Sequence, residues 1–178
     1  SYSGKNFNHR QTVWEDGGGC MSIIPIPNRA NEFLAVRDFY LKESPSSARL
    51  VWGHLVDGEW VTETILKLPY LHRFDLWDVE GEIYFIGATI ADLKDNKEDW
   101  SRPGTIYYGK LPDVLTDGIE LEVLKTGLFR NHGYSSHIVD GKIHGTFGCD
   151  QGVFEVVPMK NEQWQINCIL EKSVGEIA

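Results

Sequence analysis

Basic charge is scarce in this 178-residue chain: 17 Lys and Arg stand against 26 Asp and Glu, a formal net charge of −9. Nucleic acid and anionic membrane surfaces need a basic footprint, so both are disfavoured as partners. Cysteine is scarcer still. Cys20, Cys149 and Cys168 are an odd number at wide spacing, neither a disulfide framework nor a zinc ribbon. They read as reduced, mostly buried thiols of a cytoplasmic protein. No apolar run reaches the length of a membrane span, and no basic leader with an apolar core opens the sequence. A Gly-x-Ser-x-Gly elbow is missing. Gly17-Gly18-Gly19 lacks the helix and the Lys-Ser/Thr of a phosphate-binding loop. Helical periodicity is nearly missing too. Its best candidate, Asn31 to Lys42, is β-branched and aromatic and has no cap, which favours a strand.

Glycine (18 residues) and aromatic residues (12%) are plentiful, and both suit strands joined by tight turns. Turn signals recur along the chain, among them Pro27-Asn28, Asp57-Gly58, Glu80-Gly81, Asp117-Gly118 and Asp140-Gly141, so the chain is expected to be all-β with many short antiparallel strands. The strands group in fours. Gly19–Ile26, Glu32–Tyr40, Ala48–Leu55 and Trp60–Leu68 make one unit. Leu71–Val79, Ile83–Ala91, Thr105–Leu111 and Ile119–Leu128 make the second. Asn131–Val139, Ile143–Asp150, Val153–Met159 and Trp164–Glu171 make the third. Phe7–Glu15 is expected to add a strand. Leu71-His72-Arg73 and Asn131-His132-Gly133 open successive units, and strand counting sets Gly18-Gly19 opposite His72. Phe74, Leu76, Tyr84, Ile86, Ile106, Tyr108, Leu121, Val123, Val153, Val156, Ile166 and Ile169 are the expected core.

Four-stranded repeats of this length are the signature of propeller blades. In the segments His72–Ile90 and His132–Asp150 the chain resembles the β-propeller superfamily, with blades at about 18–68, 71–128 and 131–172. No Trp-Asp or double-glycine blade ending and no Asp-box narrows this to one family. Three blades do not close a propeller, and an open blade face is an apolar patch. Residues 173–178 read as the start of a further strand. The expectation is therefore part of a five- to seven-bladed ring, completed by a twin in a homodimer or by further chain. A twisted β-sandwich is the alternative.

The resemblance implies that residues starting first strands and ending second strands meet at one mouth of a central channel. There His72, Arg73, Asp75, His132 and Tyr134 are the candidate catalytic residues. His72 and His132 are the candidate ligands of a divalent metal, with imidazoles within about 10 Å of each other, and two protein ligands are fewer than the three or four a metal wants. This looks like the use of channel histidines in oligogalacturonate lyases and carotenoid oxygenases. The plainer alternative is that each His caps its own blade. Arg37, Asp38, Trp100, Arg102 and Asp150 are the candidate substrate-binding residues, Trp100 and Arg102 coming from the long charged loop 92–104. Asp38, Asp75 and Asp150 offer paired carboxylates for glycosidic chemistry. His137 and His144 read as blade-packing residues. The expected function is a carbohydrate-active enzyme, a polysaccharide lyase or glycoside hydrolase, acting on a small molecule or glycan. The alternative is a non-catalytic propeller module that binds a glycan or a protein.

Overall fold

The computed structural model of the chain describes residues 2–3, 6, 8–15, 18–40, 45–160 and 162–175. It is all-β. Among the described residues, three-residue 3-10 turns at Pro45–Ser47 and Leu115–Asp117 are the helical elements of more than one residue. A two-stranded ribbon pairs β1 (Tyr2–Ser3) with β2 (His9–Arg10). Three antiparallel sheets of four strands follow, each a meander in chain order. The first holds β3 (Ile23–Pro25), β4 (Glu32–Arg37), β5 (Arg49–Val56) and β6 (Glu59–Lys67). The second holds β7 (Leu71–Val79), β8 (Glu82–Thr89), β9 (Gly104–Lys110) and β10 (Glu122–Leu128). The third holds β11 (Gly133–Val139), β12 (Lys142–Cys149), β13 (Gly152–Val157) and β14 (Gln165–Leu170). Three such sheets are compatible with propeller blades; the described residues form no closed ring.

Local chemistry explains the hairpins. Asp57-Gly58, Glu80-Gly81 and Asp140-Gly141 all have positive φ at both residues (52° and 86°, 52° and 86°, 49° and 77°), the primed turn that matches strand twist. Asp117-Gly118 instead closes the second 3-10 turn.

The second sheet lies between the other two, and the alternation of its side chains divides the core. Phe74, Leu76 and Phe85 join Leu34, Val36 and Leu50 of the first sheet in one cluster. Trp77, Val79, Ile86 and Ala88 join Phe147, Phe154, Val156 and Trp164 of the third in another. Trp77 is wholly buried, stacks on Trp164 at 5.4 Å and lies where Gly145 leaves room; a Cβ on Gly145 would come within 2.5 Å of the indole. The outer side of the first sheet is partly covered by the segment before it, where Trp14 meets Phe33 at 6.4 Å.

Several expectations need correction. Val123 and Ile169 are 52% and 55% exposed, because β10 and β14 are outermost in their sheets and have cover on fewer sides. Tyr84, Leu121, Val153 and Ile166 are half-buried. Of the cysteines only Cys149 is buried; Cys20 and Cys168 are exposed, and all three are free thiols. The strand expected at Phe7–Glu15 is reduced to His9–Arg10, with Phe7 itself outside the described residues. Trp14 anchors that segment by ring contact. Residues 173–175 form no strand, and 176–178 lie outside the described residues.

Candidate functional site

Each sheet opens on a residue in the left-handed conformation: Gly19 (φ 57°), Tyr70 (φ 63°) and Arg130 (φ 48°). Backbone pairing makes the three equivalent. The Phe39 N–H donates to the Gly19 carbonyl and the Ile90 N–H to that of Tyr70, while the Asp38 and Asp150 N–H groups donate to Gly18 and Phe129, one residue earlier. Two residues beyond the left-handed position stand Met21, His72 and His132. The repeat alignment is thus corrected: Met21, not Gly18-Gly19, is the first sheet's counterpart of His72.

His72 and His132 do come together. Their ring centroids are 4.3 Å apart with planes tilted by 33°, and Phe39 covers the His72 ring at 5.1 Å. His72 is wholly buried. Among the described residues neither of its ring nitrogens has a hydrogen bond of normal geometry, and the His132 backbone gives only partial polar relief. Burial, then the neighbouring His132 and Arg73, lower its pKa from 6.5 to about 3, so the ring is neutral. Asn131, beside His132, is 1% exposed with both side-chain polar atoms likewise unpartnered among the described residues. Such groups are costly to bury, and Asn131 carried no signal in the sequence because an Asn before a strand reads as a turn residue.

The other candidates divide into groups. Asp75 and Tyr134 are bound to each other across the second and third sheets: the Tyr134 hydroxyl donates to Asp75 Oδ2 at 2.7 Å, joined there by Ser136 Oγ at 3.1 Å and Trp77 Nε1 at 3.3 Å. Burial and the Asp75 carboxylate push the Tyr134 phenol up. Arg73 is half-buried, with Nη1 donating to the Met21 carbonyl at 3.4 Å. Arg37 turns to the outer side of the first sheet, its guanidinium 4.9 Å from the Trp14 ring. Asp38 pairs with Arg49 at 2.6 Å.

Asp150 pairs with Arg130 at 3.0 Å, and Arg130 lies 5.7 Å over Trp100. Lys94 sits on the same indole at 3.1 Å. Trp100 is half-buried with two cations near its ring, and the long loop reaches the start of the third sheet. Asp99 holds that loop by accepting from the Asp95 and Ser101 N–H groups at 3.0 and 2.9 Å, which lowers its pKa to about 2. Arg102 is exposed. A cleft of about 790 Å³ lies elsewhere, on the outer side of the first sheet, lined by Trp14, Phe33, Trp60 and Arg29 among others. It is open and aromatic, and it contains none of the predicted site residues.

No protein-family model matches the chain, and neither does any curated protein.

Proposed function

We propose that the end of the sheets where His72 and His132 meet is the ligand site of a propeller-type protein, and that its ligand is a polyhydroxylated, carboxylate-bearing molecule of the carbohydrate class. The observation that carries this reading is His72: wholly buried, neutral, without a well-formed hydrogen bond among the described residues, and 4.3 Å from a second imidazole. A neutral imidazole is competent to ligate a divalent metal. Two imidazoles leave such a metal open to substrate oxygens, where it would favour developing negative charge. Arg73 supplies a cation for a substrate carboxylate. The reaction class is elimination or hydrolysis at a glycosidic bond. The reading requires the ring to be completed beyond the described residues.

One observation favours a second reading, a binding module without chemistry. Asp75 and Tyr134, the acid and phenol placed nearest the histidines in sequence, are committed to each other. The test is incubation of the chain with uronate-containing oligosaccharides, with and without divalent metal. Elimination forms a carbon–carbon double bond conjugated to a carboxylate and is read by ultraviolet absorbance. Hydrolysis raises reducing ends alone. His132→Ala should abolish either signal while the fold is retained. Saturable binding without product supports the second reading, and neither binding nor product overturns a uronate ligand in either reading.

A further inference from the structure

The third sheet carries a different cluster on its outer side. In β11 and β12, His137 and His144 are direct cross-strand partners, so their side chains share a face. Thr146 is the cross-strand partner of Glu155, and His144 lies two residues from Thr146, so Glu155 of β13 is on that face too. The opposite face, with Tyr134, Phe147, Phe154 and Val156, packs toward the second sheet. The sheet therefore sets the three residues apart from the His72–His132 pair. The rings of His137 and His144 are 5.8 Å apart, and His144 Nδ1 is 3.0 Å from Glu155 Oε1. One ligand atom from each residue lies within 4.8 Å of the others.

We propose that His137, His144 and Glu155 form a binding site for a divalent first-row transition metal, with zinc the ion that the donor set fits best. Two imidazole nitrogens are borderline donors, and the single carboxylate oxygen is a hard one that zinc also accepts. They suit zinc and its neighbours and are poor for calcium or magnesium, which take oxygen. Zinc needs each atom about 2.0 to 2.2 Å away. Atoms already within 4.8 Å of one another reach that by side-chain rotation, without moving the ladder. Three adjacent paired strands hold the Cα positions, so little ordering is needed on binding. His137 is exposed and the other two are half-buried, which gives an ion an approach from solvent. A set of three protein ligands also leaves a coordination position for water or a ligand oxygen.

The experiment is titration of the chelator-treated full chain with Zn²⁺ by calorimetry, with Co²⁺ as a visible-spectrum reporter. One ion per chain is expected at this site, with Co²⁺ bands of low coordination number. His137→Ala and Glu155→Gln should each weaken binding at least tenfold, while His54→Ala leaves it within twofold. His137 is exposed, so its variant should fold, which a thermal melt verifies. Absence of stoichiometric uptake by the wild-type chain would overturn the proposal. So would uptake kept in a folded His137→Ala chain, or uptake lost only in His132→Ala, which would assign the ion to the other histidine pair.

Discussion

A buried neutral imidazole couples stability to pH. His72 protonates in the folded chain only near pH 3, whereas the same ring in the unfolded chain takes a proton near 6.5. Between those values the unfolded state binds the extra proton, so stability is full above about pH 6.5 and falls as the pH drops toward 3, by up to about 1.4 kcal/mol per pH unit. His72→Phe keeps a ring against Phe39 and removes this dependence. Urea midpoints measured from about pH 6 to 4 should therefore fall less steeply in the variant than in the wild type; parallel slopes would show that His72 does not remain neutral. Gly19 is a second sensitive residue. Its φ is +57°, and an added Cβ would come within 2.6 Å of the Phe39 backbone. Gly19→Ala should cost at least about 1 kcal/mol by the same assay, and a neutral result would mean that the start of the first sheet yields readily.

At the scale of the strand, the two faces of β7 serve different neighbours. Leu76 packs toward the first sheet and Trp77 toward the third. Leu76→Ala should cost about 2 to 5 kcal/mol and Trp77→Ala about 3 to 5. Val123, half exposed on the outermost strand, should lose under about 0.5 kcal/mol on change to Ala. Chemical denaturation of the three variants checks the ranking, and a Leu76→Ala cost as small as that of Val123 would contradict the packing. Strand positions were legible because Asp-Gly and Glu-Gly pairs mark primed turns and the apolar residues alternate around them. Exposure on β10 and β14 was not, because apolar residues along an edge strand do not reveal which of them lack cover from a neighbouring sheet. The approach of His72 to His132 was legible from their equivalent places. The equivalence of Met21 was hidden, since Gly, Tyr and Arg occupy the shared left-handed position and have no side-chain chemistry in common. His137, His144 and Glu155 became a group only through the register of three strands, which spacing along the chain does not reveal.

For the whole molecule, the arrangement of the cores decides how it unfolds. Repeat arrays in which each unit meets only its neighbours come apart in steps when the interfaces are weak relative to the units. Here the first and third sheets each bury one face against the second, through large clusters centred on Leu50, Leu71 and Phe85 on one side and on Trp77, Phe147 and Trp164 on the other. His72 adds a link among all three, since its ring in β7 touches Phe39 after β4 and His132 before β11. Removing either outer sheet would strip one apolar face of the second, at a cost of about 25 cal/mol for each Å² exposed. A single cooperative transition is therefore expected, with far-ultraviolet circular dichroism and tryptophan fluorescence giving the same urea midpoint. Leu50→Ala in the first cluster and Trp77→Ala in the second should both lower that one midpoint and leave the curves superimposed. If Trp77→Ala instead splits the curve, with a loss of structure confined to residues 131–172 by hydrogen exchange, the third sheet is an independent unit and the coupling through His72 is too weak to hold the array together.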